Sequence, residues 1–294
     1  MILIADGGST KTAWCVVGKA EAEAEAGGIL YRPYIKTTGL NPIFQTKEEI
    51  SNEILLNLMP QLGQQVGNDL TKIKALYFYG AGCIPEKIQM MKEVLYNHFT
   101  WIDKSKIEVD SDMLGAARGL CGKTPGIACI LGTGSNSCFY DGEKITHNVP
   151  ALGFILGDEG SGAVLGRLLV GALLKNQLSE ELKKEFLELY ELTPAMIIEQ
   201  VYKQPFPNRF LASLSPFLER HIINEKIHEL VLNAFKAFLE RNVMQYDYKE
   251  YPVHFVGSVA FYYREVLEEA IHKCSMELGT IVESPIRGLG KYHA

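Results

Sequence analysis

The feature that most constrains this chain is a module that occurs twice. Ile2-Leu3-Ile4-Ala5-Asp6 is an apolar strand, Gly7 to Thr12 a turn crowded with hydroxyls and one lysine, and Ala13-Trp14-Cys15-Val16-Val17 a second apolar strand. Apolar runs on either side of a glycine turn predict a β-hairpin. The turn has unusual chemistry. Gly7 and Gly8 allow close backbone approach to a ligand, and Ser9, Thr10, Lys11 and Thr12 add donors, a combination suited to cradling phosphate. A plain hairpin with a polar tip is the competing reading of this turn alone. The same plan returns in Ile127-Ala128-Cys129-Ile130-Leu131, then Gly132-Thr133-Gly134-Ser135-Asn136, then Ser137 to Tyr140, closed by Asp141-Gly142. A distant repeat of one supersecondary unit predicts two related domains facing each other, with a nucleotide's phosphates between the turns.

With 294 residues the chain has room for two domains with sizeable cores. A net charge of −6 and the lack of a long basic run argue against a nucleic-acid surface. No apolar run reaches the length of a membrane span. Met1 leads directly into a strand, without the pattern of a signal peptide, so a cytoplasmic location is expected. Cys15, Cys83, Cys121, Cys129, Cys138 and Cys274 show neither CxxC spacing nor a disulfide framework; buried reduced thiols are expected. The seven histidines show no metal-ligand spacing, and His254 reads as satisfied within a core strand.

Between the hairpins, residues 20 to 26 alternate Ala and Glu and carry no assigned function. Asn41 precedes Pro42, which biases it toward extended backbone and presents its side chain from a loop, although on local grounds alone a simple turn asparagine is the better reading. Thr46-Lys47-Glu48-Glu49 is a capping box that opens a helix to about Met59. A strand over 73–79 leads through Gly80-Ala81-Gly82 to a helix from Pro85 to about Phe99. A strand at 107–109 then runs through Asp110-Ser111-Asp112 into a helix with a small-residue face. Asp112 stands near the helix N-terminus, where the dipole favours an anion; a helix cap is the competing role, and Asp110 reads as structural. Ala117 to Thr124 resembles a P-loop only superficially, because a helix rather than a strand precedes it and Pro125 follows.

After the second hairpin, Gly157-Asp158-Glu159-Gly160-Ser161-Gly162 places adjacent acids among glycines at the entrance of a helix to about Lys175, a setting for a polyol or for a flexible capped turn. Residues 179–246 are mostly helical, with segments at 179–190, 194–203, 209–222 and 225–246. Val253 to Val256 is a buried strand that ends in Gly257-Ser258, the strand–turn–helix arrangement at which ligands gather, with a core-packing turn as the rival. A helix to Leu278, a strand at 280–282 and a tail from Ser284 to Gly290 close the chain.

Five segments in this order, Asp6–Thr12, Gly39–Pro42, Asp112–Ala116, Gly132–Asn136 with Gly157–Ser161, and Gly257–Ala260, resemble the actin-like ATPase and sugar kinase superfamily. Within it the chain is most similar to the N-acetylglucosamine kinases, which share a broader family with the activator ATPases of benzoyl-CoA reductase and hydroxyglutaryl-CoA dehydratase. The resemblance implies an α/β fold of two ribonuclease-H-like domains with a cleft between them, residues 1–112 and 113–294, the second enlarged by a helical insertion over about 179–246. It further implies ATP and Mg²⁺ as cofactors and an amino sugar as substrate, most simply N-acetylglucosamine converted to its 6-phosphate. Asp112 would be the general base. Gly8, Ser9, Thr10, Lys11 and Thr133 would hold phosphates, Gly257 and Ser258 the adenosine, and Asp6 the Mg²⁺ through water. Asn41, Ser135, Asn136, Gly153 and Asp158 would contact the sugar. A homodimer is a family expectation, and no structural zinc is expected. Two alternatives stay open: an activator of an iron–sulfur enzyme, which needs exposed cysteine ligands, and a non-catalytic sugar sensor.

Overall fold

The computed structural model describes residues 1–19 and 29–294, so the Ala/Glu segment lies outside the described residues. The chain forms two compact units. One comprises Met1–Thr124, Asp141–Ile145 and Ser284–Ala294, the other Pro125–Tyr140 and Thr146–Glu283.

The first unit is built on β1 (Ile2–Gly7), β2 (Lys11–Lys19), β3 (Ile29–Tyr31), β4 (Ile35–Thr38), β5 (Ala75–Gly80) and β6 (Ile107–Ser111). They lie in the order β3-β2-β1-β5-β6, with β4 also beside β2. The expected hairpin is present: β1 and β2 are antiparallel, from Ile2 opposite Val17 to Gly7 opposite Thr12. β5 and β6 join β1 in parallel. Side chains alternate across a strand, and both faces are covered here. Leu3, Ala5, Trp14 and Val16 pack with Ile50, Leu62, Met91 and Leu95 of the helical layer. Ile4, Cys15, Val17 and Tyr79 pack on the opposite face with Ile286 and Leu289.

The second unit uses β7 (Gly126–Leu131), β8 (Ser135–Tyr140), β9 (Ile145–Val149), β10 (Val253–Val256) and β11 (Leu278–Val282), in the order β11-β10-β7-β8-β9. β7 and β8 form the second expected hairpin, from Gly126 opposite Tyr140 to Leu131 opposite Ser135. With β4 set aside, both sheets run third, second, first, fourth, fifth, so the sequence repeat is a repeat of topology. Ile127, Cys129 and Leu131 pack into a core with Leu165 and Leu169 of helix Gly162–Leu174, with Phe235 and Phe238 of helix Glu225–Arg241, and with Leu267 and Ile271 of helix Arg264–Lys273.

Several expectations need correction. The helix from Lys47 does not stop at Met59: a widened π-type turn, Ile54–Leu58, absorbs Pro60 and the helix resumes as Met59–Gln65. The helix expected at 209–222 is split into Pro207–Leu214 and Pro216–Arg220 by Pro216, and the one from 225 ends at Arg241. Helix Arg264–Lys273 stops short of Leu278 because Ser275 turns left-handed, at φ 55°. The expected tail is a helix, Ile286–His293. Strands β3, β4 and β9 were not anticipated.

Other readings agree with the structure. Ala117 and Arg118 lie inside helix Asp112–Cys121, so no P-loop forms there. All six cysteines are free, five of them buried and Cys274 half-buried. His254 is satisfied, its Nδ1 accepting from the Thr280 amide at 3.0 Å. Among the described residues no helix is long and apolar enough to cross a membrane.

Gly166 allows helix Gly162–Leu174 to touch helix Pro207–Leu214, since a Cβ there would collide with the Leu211 carbonyl. Gly166→Ala should lower the unfolding free energy by about 1–3 kcal/mol in urea denaturation, whereas an open helical glycine gains about 1 kcal/mol from the same change.

Candidate active site

In the first unit the carboxyl ends of three parallel strands bring the acids together. Asp6 pairs in register with Tyr79, Tyr79 with Asp110, and Gly80 with Ser111. Asp112 follows as the first residue of helix Asp112–Cys121, whose N-cap Ser111 accepts from the Leu114 amide at 3.2 Å. The Met113 amide donates to Asp112 Oδ1 at 2.9 Å, and the Ser284 hydroxyl donates to Asp6 Oδ2 at 3.3 Å. Burial pushes the Asp6 carboxyl up to about 6, with a further push from the charge of Asp112; Ser284 and Lys11 pull it back. Burial also pushes Asp112 up to about 6, against the pull of the Met113 amide.

The first turn is shaped from both sides. The Gly8 amide donates to the Lys11 carbonyl at 2.9 Å, and the Gly39 amide to the Thr10 carbonyl at 3.0 Å. Gly39 lies so close that a Cβ would sit 2.6 Å from the Ser9 carbonyl oxygen. Ser9 is half-buried and Thr10 and Lys11 are exposed at the tip, whereas Thr12 is buried and accepts from the Leu40 amide at 3.0 Å. Asn41 is only 4 % exposed; its Oδ1 accepts from the Ile43 amide at 3.0 Å. Its side chain lies on Gly82, where a Cβ would strike Oδ1. The next residue, Cys83, is pushed up to about 12 by burial and by the charges of Asp112 and Asp110. Asn41, the 80–83 turn and the two acids therefore share one neighbourhood.

In the second unit the corresponding turn is held by a helix. The Gly132 amide donates to the Gly134 carbonyl at 2.9 Å, and the first amides of helix Gly162–Leu174 donate to Gly132 (2.8 Å, from Gly162) and Thr133 (3.1 Å, from Ala163). The Gly257–Ser258 turn borders it: at φ 122°, Gly257 brings its Cα so close to the Leu131 carbonyl that a side chain would collide. Ser258 is exposed. The Ser135 amide donates to Asp158 Oδ1 at 3.2 Å. Burial pushes Asp158 up to about 6, opposed by that amide and reinforced by Glu159.

Asp158 and Glu159 do not act as a pair. Asp158 adopts a left-handed backbone at φ 52° and faces Ser135, whereas Glu159 is tied to Arg241 at 3.0 Å and to Asn242 at 3.4 Å. Gly153 is exposed at the start of the short helix Gly153–Leu156, at φ 75°, and connects to Asp158 only through the loop, in which the Asp158 amide donates to the Ala151 carbonyl at 3.0 Å. Asn136 Oδ1 accepts from the Ser137 amide at 2.9 Å and from Asn148 Nδ2 at 3.0 Å.

Three contributors escaped the sequence reading. Ser284 looked like part of a tail, and Cys83 like an ordinary buried thiol. Asn148 sits on the unanticipated β9, although Asp141-Gly142 between two runs was a usable hairpin signal.

No protein-family model matches the chain. The crystal structure of an inferred N-acetylglucosamine kinase from Porphyromonas gingivalis is 50% identical with a TM-score of 0.91, over 100% of this chain and 98% of that one. An N-acetylmuramic acid/N-acetylglucosamine kinase from Clostridium acetobutylicum is 26% identical over 215 residues, 68% of this chain and 69% of that protein. A ROK family glucokinase from Streptomyces griseus, solved with glucose and AMPPNP, is alike in fold alone: TM-score 0.58 and 14% identity, over 99% of this chain and 97% of that one.

The raised value for Asp112 has a consequence for stability. Its carboxyl protonates near 6 when folded and near 3.8 when unfolded, so its contribution is complete below about pH 4 and is lost as the pH rises through 6. Asp112→Asn should therefore be more stable than the wild type by about 1–2 kcal/mol near pH 7.5, with the difference gone near pH 4. Thermal unfolding in the presence of EDTA measures this.

Proposed function

The chain belongs to the N-acetylglucosamine kinase family, sugar kinases with the actin-like ATPase fold, and on that premise we propose that it transfers the γ-phosphoryl group of ATP to the 6-hydroxyl of N-acetylglucosamine. The observation that carries this reading is the setting of Asp112. It stands at a helix N-terminus beside Asp6, and its carboxyl is raised to about 6 yet still ionised at neutral pH. A base in that range takes a proton from an alcohol more readily than an ordinary aspartate does. As the sugar oxygen bonds to the γ-phosphorus, its proton passes to Asp112 and the bond to the β-phosphate oxygen breaks, leaving ADP.

Phosphoryl transfer depends mainly on positioning and on neutralising phosphate charge. Gly8, Ser9, Thr10 and Lys11 of one turn and Thr133 of the other serve the phosphates, with Gly257 and Ser258 at the adenosine. Asn41, Ser135, Asn136, Gly153 and Asp158 serve the sugar. Gly257 supports this division, because it borders the Leu131–Gly132 backbone at the start of the second turn. Asp158 supports it too, with one carboxylate oxygen held by the Ser135 amide.

Among the described residues no group of three or more His, Cys, Asp or Glu side chains is placed to hold a metal ion. Mg²⁺ fits such a donor set, because it keeps several waters and takes only one or two carboxylates beside substrate phosphates. Asp6 would hold it through water, and when bound it would neutralise charge on the phosphates.

A coupled ADP-release assay over N-acetylglucosamine, N-acetylmuramic acid, N-acetylmannosamine, glucosamine and glucose tests the proposal. N-acetylglucosamine should give the highest kcat/KM, and sugar binding without any ADP release would overturn the assignment. Asp112→Asn should lower kcat by about 10²–10⁴-fold while sugar binding, read by calorimetry, persists. Near-normal turnover in that variant would remove Asp112 from its role.

A further inference from the structure

Asn136 and Asn148 meet across the adjacent strands β8 and β9. Asn148 Nδ2 lies 2.5 Å from the Ser137 carbonyl oxygen and 3.0 Å from Asn136 Oδ1. Asn136 Oδ1 also lies 2.9 Å from the Ser137 amide nitrogen. A carboxamide's two ends are easily interchanged, but here the backbone decides both. A peptide carbonyl has no proton to give, so the Asn148 atom beside it must be the nitrogen. A peptide N–H only donates, so the Asn136 atom beside it must be the oxygen.

Both N–H groups of Asn148 are thus committed, one to the Ser137 carbonyl and one to Asn136. Both acceptor positions of Asn136 Oδ1 are filled, by the Ser137 amide and by Asn148. What Asn136 has left for a ligand is the NH₂ group alone. Asn148 plays no part in the reading above; it is exposed, on the edge strand β9.

We infer that Asn148 is a positioning residue that turns Asn136 into a donor-only contact and so determines which sugar atoms this side of the site accepts. The inference rests on the reading of Asn136 as a sugar contact. A donor-only amide takes a hydroxyl oxygen through its lone pairs, or an acyl carbonyl oxygen, and rejects an ammonium group. An amino sugar whose nitrogen is acylated and neutral is compatible with that requirement; a free amino sugar, protonated at neutral pH, presents the wrong polarity wherever its nitrogen falls against Asn136.

The test uses Asn148→Asp, which keeps the shape of the side chain while replacing both donors with acceptors, and Asn148→Ala as a second variant should the first not fold. Each is compared with Asn136→Ala and with the double variant, using N-acetylglucosamine and ATP as the varied substrates. Losing the orientation of one hydrogen-bonding amide should raise the sugar KM about 5- to 20-fold, with kcat and the ATP KM within about two-fold. Acting only through Asn136, the substitution at 148 should add nothing once Asn136 is alanine. An unchanged sugar KM in the position-148 variants, with Asn136→Ala impaired, would overturn the positioning role and leave the sugar-contact reading intact. An unimpaired Asn136→Ala would remove the sugar contact itself. Equal losses in sugar and ATP KM, undiminished in the Asn136→Ala background, would mark Asn148 as merely structural and overturn the inference.

Discussion

In the first unit, two carboxylates of like charge, Asp6 and Asp112, are held close together where burial opposes their ionisation. The arrangement follows from topology. β1, β5 and β6 run parallel, so their carboxyl ends collect at one edge of the sheet, and the helix that follows β6 begins on an acid. Gly7 and Gly80 lie opposite each other, with room for only 3.1 Å between a Cβ on Gly7 and the Gly80 Cα, so the strand ends can stay this close. Relief comes from Ser284, Lys11 and the Met113 amide, and would come from a bound cation. Burial of two like charges opposes stability, and it holds both carboxyls up toward the neutral range.

The repeated topology solves one problem in two ways. Each unit ends its first strand in a glycine turn whose backbone is held in place from outside the turn. In the first unit Gly39 presses against the turn, and its amide closes on the Thr10 carbonyl. In the second, the first two amides of a 13-residue helix grip the carbonyls of Gly132 and Thr133. That helix lies in the core, with Ser161 fully buried as its cap, so the second turn is anchored to the interior of its unit. Glu159, the acid beside Asp158, is part of the same anchoring through Arg241 and Asn242.

Much of this was legible in the sequence, and the exceptions have physical causes. The two hairpins could be read because a Gly/Ser/Thr turn between apolar strands has no common alternative. The closing helix Ile286–His293 could not, since Gly288 and Gly290 are poor helix formers. They are required by packing, Gly288 against the Gly119 backbone and Gly290 against the Tyr31 ring, and tertiary contact overrides propensity. Pro60 hid the second half of its helix for a similar reason: the widened turn before it removes the need for its missing amide proton. At the site, Asp112, Asp158 and the glycine turns stood out as residue types. Asn148, Ser284 and the separate duties of Asp158 and Glu159 depend on contacts distant in sequence, which no local pattern encodes.

The most direct measurement is backbone hydrogen–deuterium exchange with and without AMPPNP and Mg²⁺. If the glycine turns are phosphate cradles, amides in residues 7–12 and in residues 132–136 should both gain protection on nucleotide binding, while the surface of the helical segment 179–190 stays unchanged. Nucleotide binding that leaves both turns exchanging as before would refute the phosphate-cradle reading.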